Sequence, residues 1–218
     1  MNKTIEVEAD VKPTETLLYQ LLESELGGAA IYEKALECIL DETLREEFTR
    51  YLKQTERHIE TARQILEVFG FDPDVPHPAR EMCRIHNKTL LRMMEAAIDA
   101  GDPRHAQRVA CSCVVQAETQ DHMNWELAGE LAKHTNGNPG KVLRAAYEKV
   151  EEEEDGHLYR SRGWARELWM QALGLSSLPV IDEQPLEPID DDDLFADEEL
   201  ETPTRTLPRR SPARPAQH

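Results

Sequence analysis

Long apolar runs are missing from this 218-residue chain, and aromatic residues make up only 6% of it. No uninterrupted apolar stretch approaches the roughly 18 residues that a helix needs to span a bilayer. The first ten residues, MNKTIEVEAD, are polar and acidic, unlike the start of a secretory signal peptide. The sequence therefore predicts a cytoplasmic protein with no membrane partner.

Basic residues are also scarce, with 25 Lys and Arg against 43 Asp and Glu and a net charge of −18 at pH 7. Proteins that bind nucleic acid contact its phosphates through clustered Lys and Arg. Nucleic acid is therefore not an expected partner, whereas an acidic surface attracts metal ions.

Only four cysteines are present, at positions 38, 83, 111 and 113, and no two of them form a CxxC pair. This spacing excludes the zinc-knuckle and thioredoxin-like motifs. We expect reduced thiols that are buried as small apolar side chains.

Alternating runs of Val, Ile and Thr are absent, and apolar residues instead recur every three or four positions, which predicts an all-α fold. Helix start and stop signals divide the chain into five helices. Their expected bounds are about 13–40, 42–70, 79–100, 103–134 and 139–173. Thr14 is the expected N-cap of the first helix.

A chain of this length is expected to form one domain with a single substantial core. We predict a flexible N-terminus over residues 1–12, a helical bundle over residues 13–177 and a disordered tail over residues 178–218. The tail is rich in proline, and residues 179–218 contain 11 acidic and 4 basic residues. It acts either as a solvated acidic spacer or as a segment that docks a partner protein.

Polar residues interrupt the apolar stripes of four helices, each near the middle of its helix. The interruptions are Glu25 in the first helix, Thr55 and His58 in the second, Glu118 and Asp121 in the fourth, and Glu154 and His157 in the fifth. A lone buried His or Glu is usually hydrogen-bonded to a neighbour, but packing these helices as a bundle brings all the interruptions to one level. Unpaired buried charges cost several kcal/mol each, and divalent metal ions are the usual compensation. We therefore expect a metal site at this level.

Part of this pattern resembles motifs of the ferritin-like superfamily, especially its rubrerythrin-type members. The matching positions are Glu154 and His157 in the Glu-x-x-His stretch EDGH, Glu25 with the nearby Tyr32, and Glu118 with Asp121. The resemblance covers about residues 14–173. It implies an antiparallel four-helix bundle in which residues 79–100 form a helical crossover between core helices two and three.

The resemblance also implies a dinuclear centre of two iron ions, or of manganese, that reacts with peroxide or dioxygen or oxidises ferrous iron. The implied metal ligands are Glu25, His58, Glu118, Asp121, Glu154 and His157. Tyr32 is the implied catalytic residue, as a hydrogen bonder or a radical trap. No rubredoxin-like cysteine quartet is present, so an external electron donor is an expected partner. Assembly into a homo-oligomer is also expected.

One position departs from the family pattern, because Thr55 stands where a glutamate is expected before His58. Glu56 lies about 100° away around the helix and does not replace it. Three outcomes are open: Asp121 compensates in part, one metal is held more weakly, or the site binds a single ion or none. The competing function is therefore a ferritin-like scaffold with a degenerate metal site, whose acidic tail recruits a partner.

Overall fold

Five helices make up the secondary structure of residues 11–176, which are the residues that the computed structural model describes. They are α1 (Val11–Cys38), α2 (Glu42–Val68), α3 (Pro78–Asp99), α4 (Pro103–His134) and α5 (Gly137–Ala172). No strand occurs within this range, so the all-α prediction is confirmed. None of the helices in this part of the chain is long and apolar enough to cross a membrane.

Local signals in the sequence explain most helix ends. Asp41 caps α2 by accepting a hydrogen bond from the Leu44 N–H, and Asp102 caps α4 in the same way. Gly70 and Gly101 follow the ends of α2 and α3 with φ values of 83° and 74°, a conformation that favours glycine. The helices therefore end close to the predicted residues.

The start of α1 differs from the prediction. The helix begins at Val11, so residues 11 and 12 are helical rather than part of a flexible N-terminus, and Thr14 lies inside the first turn instead of capping it. Pro13 fits this turn because the first residues of a helix need no backbone N–H partner within the helix. Residues 1–10 and the predicted tail at residues 178–218 lie outside the described residues.

The helices α1, α2, α5 and α4 contact one another in a closed ring, and α3 packs against α1 and α4. Side-chain contacts give the helix directions. Glu47 lies against Arg160 while Arg57 lies against Glu153, so α2 and α5 run antiparallel. Ser24 meets Asp121, and the residues near position 40 meet Gln107, so α1 and α4 are antiparallel as well. The middles of all four helices therefore lie at one level.

The apolar core forms two clusters, one on each side of this level. One contains Tyr32, Phe48 and Val114, and the other contains Leu18, Ile65 and Trp125. Each ring helix passes from one cluster to the other through a buried polar segment. Three of the four cysteines are buried in this interior as expected, whereas Cys83 is only half-buried because it lies at the margin of the α1 and α3 contact.

Candidate metal centre

The buried polar level contains all six predicted metal ligands. Each is at most 5% exposed: Glu25, His58, Glu118, Asp121, Glu154 and His157. Helical phase explains this burial, because each residue lies on the stripe that its helix turns towards the ring interior. Their role as metal ligands remains a prediction, which can be compared with the geometry of the centre.

Five of the six residues form two triads that share one member. Glu25, His58 and Glu154 form site A, and Glu118, Glu154 and His157 form site B. In each triad, the three candidate ligand atoms lie within 4.8 Å of one another. Glu154 therefore belongs to both sites.

Glu154 Oε1 lies between the two imidazoles. It is 2.9 Å from the Nδ1 atom of His58 and 3.4 Å from the Nδ1 atom of His157. The remaining carboxylates are also near: Glu25 Oε1 is 3.5 Å from His58 Nδ1, and Glu118 Oε2 is 3.6 Å from His157 Nδ1. Both imidazoles thus present the same ring nitrogen to the shared carboxylate.

The other ring nitrogen of each imidazole contacts an oxygen atom outside the triads. His58 Nε2 lies 2.8 Å from Glu153 Oε2, and His157 Nε2 lies 3.2 Å from Gln54 Oε1. An ionised carboxylate and an amide oxygen only accept hydrogen bonds, so both Nε2 atoms carry the proton and donate. In the neutral imidazoles, each Nδ1 lone pair then points at a carboxylate, an arrangement that a bound cation satisfies.

Several buried atoms at the centre lack a hydrogen-bond partner among the described residues. They are Glu25 Oε2, Glu118 Oε2 and Glu154 Oε2, while the Nδ1 atoms of His58 and His157 face the Glu154 carboxylate. Buried polar atoms without a partner are rare in proteins because each costs free energy. The set consists of hard carboxylate oxygens and imidazole nitrogens, with no thiolate, which suits iron or manganese. The residues therefore fit the metal centre that the sequence predicts.

Without a cation, protons balance the charge of this centre. Burial alone would lower the pKa of His58, but the carboxylates of Glu154 and Glu25 raise it to about 11. The pKa of His157 is raised against burial to about 9 by Glu118 and Glu154. Burial raises the pKa of Glu25 to about 7, whereas the two imidazoles lower the pKa of Glu154 to about 2 despite its burial. Cation binding would displace these imidazole protons.

Asp121 lies at the same level but belongs to neither triad. Its Oδ1 atom accepts a 2.6 Å hydrogen bond from the Ser24 hydroxyl, which accepts in turn from the Asn124 amide. Burial and the neighbouring charges of Glu25 and Glu154 raise the pKa of Asp121 well above its usual range. Its predicted role as an extra or bridging ligand therefore has less geometric support than the roles of the other five.

Tyr32 is fully buried beside site B. Its ring centroid lies 6.1 Å from that of His157, and its hydroxyl has the Glu118 carboxylate as a neighbour but no hydrogen bond of good geometry among the described residues. Burial and the neighbouring Glu118 carboxylate raise the pKa of Tyr32 well above its usual value, so the hydroxyl keeps its proton. It is available as a hydrogen-bond donor at the centre.

Thr55 also faces the interior, as predicted, and is 2% exposed. Its methyl group lies 3.6 Å from where a Cβ atom on Gly28 would be. The centre therefore lacks a carboxylate at this position, and the neighbouring Gly28 leaves room next to the threonine.

Sequence reasoning did not find the outer contacts of the centre. Glu153 and Gln54 precede stripe positions and reach the imidazoles through long side chains, and the Trp125 indole N–H donates a 2.6 Å hydrogen bond to Glu25 Oε1. The only sequence feature that could have indicated one of these contacts is the position of Glu153 directly before the predicted ligand Glu154.

None of the family models, curated proteins and solved structures compared with the chain matches it.

Proposed function

We propose that this chain is a ferritin-like metal-binding protein whose dinuclear iron or manganese centre reacts with peroxide or dioxygen, or oxidises ferrous iron. The observation that carries the proposal is the position of Glu154 Oε1 between the Nδ1 atoms of His58 and His157. A carboxylate between two nitrogen ligands can bridge two neighbouring cations.

The helix contacts support the ferritin-like part of the proposal. In ferritin-like bundles, inward-facing Glu and His residues from four helices surround the metal ions. Here α1, α2, α4 and α5 form the ring and each contributes a buried acid or imidazole. Arg144 contacts Ala132 and His122 contacts Asp155, so α4 runs antiparallel to α5 and therefore parallel to α2. Two parallel helices need a crossover between them, and α3 occupies that position in the chain.

When bound, the two ions would supply the redox chemistry, and the protein side chains would control their surroundings. The apolar clusters on both sides of the centre limit access of water. Glu25, Glu118 and Glu154 supply negative charge that favours divalent cations. The Tyr32 hydroxyl can donate a hydrogen bond to an oxygen atom at site B. An external reductant would have to restore the starting redox state.

Metal binding is the first test of this proposal. The metal-free full chain is titrated anaerobically with Fe(II) or Mn(II), and bound metal is measured by elemental analysis after desalting. We expect about two ions per chain, and we expect the Fe(II) protein to consume hydrogen peroxide or dioxygen faster than an equal amount of free Fe(II). A folded protein that retains no metal would contradict the proposal.

The second candidate function is a scaffold with a degenerate centre, and the buried Thr55 favours it because the centre lacks one carboxylate. Substituting Thr55→Glu separates the two candidates. In a metal protein, the added carboxylate is expected to raise metal affinity about 10-fold, which corresponds to about 1.4 kcal/mol. Without metal, the same substitution should destabilise the protein because it buries another acid.

The readout is the difference in melting temperature between metal-loaded and metal-free protein, which should be larger for Thr55→Glu than for the parent. Glu56→Gln, at the neighbouring exposed position, serves as the control and should leave this difference unchanged. If Thr55→Glu binds iron or manganese no more tightly than the parent, and the stability of both proteins is insensitive to the two metals, the scaffold function is favoured.

A further inference from the structure

The two imidazoles of the centre differ in the group that accepts their outer hydrogen bond. His58 donates to the carboxylate of Glu153 over 2.8 Å, whereas His157 donates to the neutral amide of Gln54 over 3.2 Å. Hydrogen bonds to an ionised acceptor are shorter and stronger than bonds between neutral groups. The shared Glu154 belongs to both sites, although its Oε1 atom is nearer to His58 Nδ1 (2.9 Å) than to His157 Nδ1 (3.4 Å), so the chemical difference between the two imidazoles lies in their outer acceptors.

An outer carboxylate changes the imidazole as a metal ligand. A carboxylate that accepts a hydrogen bond from the Nε2–H group increases the electron density of the imidazole ring, which makes the Nδ1 atom a stronger electron-pair donor to a metal. The same hydrogen bond fixes the orientation of the ring. Glu153 is itself held in place by Arg57, whose Nη2 atom lies 2.9 and 3.2 Å from its two oxygens. A neutral amide gives the same orientation with a weaker electronic effect.

We infer that the two metal positions are unequal: site A binds the first divalent cation and site B the second, and Glu153 and Gln54 set this order as positioning residues. The inference rests on the proposed function, because it requires that both triads bind metal. It goes beyond that function by assigning an order of filling and the residues that determine it.

Three contacts act in the opposite direction, the first being a hydrogen bond between the Gln54 side chain and Glu153. The Trp125 indole N–H donates to Glu25 Oε1 and withdraws charge from site A, but Glu25 Oε2 has no such donor and remains free to bind. Arg57 partly neutralises Glu153, but its side chain is 52% exposed, so solvent screens that charge. Losing an outer partner of a ligand histidine typically costs 10- to 100-fold in metal affinity, so the effect of Glu153 should dominate.

Single-site variants allow each position to be measured alone. His157→Ala removes a ligand of site B, and His58→Ala removes a ligand of site A. Each metal-free full-length variant is titrated anaerobically with Mn(II), and the free ion is counted by its EPR signal. We expect two unequal steps in the parent, the tighter step alone in His157→Ala, and a weaker step alone in His58→Ala.

The outer residues are then exchanged in each background. Glu153→Gln should weaken Mn(II) binding about 10-fold or more in His157→Ala and less than about 2-fold in His58→Ala. Glu152→Gln removes the same charge from the adjacent exposed position and is the matched control, with less than about 2-fold effect in both backgrounds. Gln54 also hydrogen-bonds Glu153, so Gln54→Glu is made together with Glu153→Gln to avoid repulsion between two carboxylates. In the His58→Ala background this pair should tighten Mn(II) binding about 10-fold, a gain that misfolding cannot produce.

The outcomes separate this inference from the proposed function. If the folded parent binds neither Mn(II) nor Fe(II), the proposed function fails and the inference fails with it. If the parent binds two ions but Glu153→Gln and Glu152→Gln have equal effects, or Gln54→Glu made together with Glu153→Gln brings no gain, the inference is overturned while the proposed function stands.

Discussion

Helix α1 buries two glutamates, Glu23 and Glu25, that lie only two residues apart and have different surroundings. Glu23 faces α3, where its oxygens accept hydrogen bonds from Arg80 Nε over 2.7 Å and from Arg84 Nε over 2.8 Å. Glu25 faces the ring interior, where it meets His58 and Trp125, and its Oε2 atom lacks a hydrogen-bond partner among the described residues.

The two glutamates differ in whether the positive charge of their partner is permanent. Arginine remains protonated at every pH that a folded protein tolerates, so the Glu23 cluster is a fixed ion pair that joins α1 to α3. An imidazole carries its charge only while it is protonated, and it can release the proton to bind a cation instead. The first arrangement is suited to holding helices together, and the second to exchanging protons for metal.

The largest expected effect is the response of the metal-free centre to pH. The folded-state pKa values of His157 and His58 are raised from 6.5 to about 9 and about 11, so the stability they contribute is complete below pH 6.5 and is lost as the pH rises through those values. The pKa of Glu25 is raised from 4.5 to about 7, so its contribution to stability is also lost as the pH rises from 4.5 to 7. The lowered pKa of Glu154 matters only below pH 4.5.

We therefore expect the melting temperature of the protein in a chelator to fall steadily between pH 6.5 and 9.5. The double variant His58→Gln, His157→Gln is the control and should depend much less on pH in this range. Bound metal replaces the imidazole protons, so it should also flatten the dependence up to pH 8. A metal-free parent as insensitive to pH as the double variant would show that the imidazoles are neutral.

The next largest effect is expected on the arginine side of α1. Arg80→Met removes a charge partner from the buried Glu23, so the free energy of unfolding should fall by about 3 kcal/mol or more in urea denaturation. Arg84→Met is the milder control, because the Arg84 side chain is 37% exposed. The loss should be the same with and without metal. A loss that depended on metal would mean that the two regions are coupled.

A third prediction concerns the stabilisation that metal provides. At a metal concentration of 100 times the Kd of a site, each ion bound to the parent should add about 2.7 kcal/mol to its free energy of unfolding. Glu154→Gln should abolish most of this gain because both triads lose their shared carboxylate. Glu23→Gln should lower stability but keep the gain. Equal gains in Glu154→Gln and the parent, measured by thermal denaturation, would exclude Glu154 as a ligand.

The helices and the buried level were predictable because local signals determine them. Asp41 and Asp102 are caps that act on their own helices, and burial of Glu25 or His157 follows from the phase of a single stripe. The expected cap at Thr14 was wrong: this residue type often caps helices, but here Thr14 lies within α1, which begins at Val11 and includes Pro13 in its first turn.

The partners of each side chain were less predictable because they depend on contacts between helices. Asp121 and Glu118 are both buried acids of α4, but only Asp121 meets a serine of α1. Glu153 and Gln54 lie off the stripes and reach the imidazoles through long side chains. A single sequence determines the phase of each helix, but not which side chains of two facing helices contact each other.

The smallest expected effects come from substituting two adjacent glycines of α1, of which Gly27 faces α3 and Gly28 faces Thr55 beside the metal centre. A Cβ atom on Gly27 would lie 1.6 Å from Asn87 Nδ2 of α3, whereas one on Gly28 would meet only the Thr55 methyl group at 3.6 Å, an ordinary contact. Gly28→Ala should therefore raise the free energy of unfolding by about 1 kcal/mol through helix propensity, while Gly27→Ala should lower it. Gly156→Ala, with no atom within 4 Å of the added carbon, gives the propensity gain alone. If Gly28→Ala is destabilising in thermal or urea unfolding, the space between Gly28 and Thr55 is smaller than the structure indicates, and a glutamate at position 55 would not fit there either.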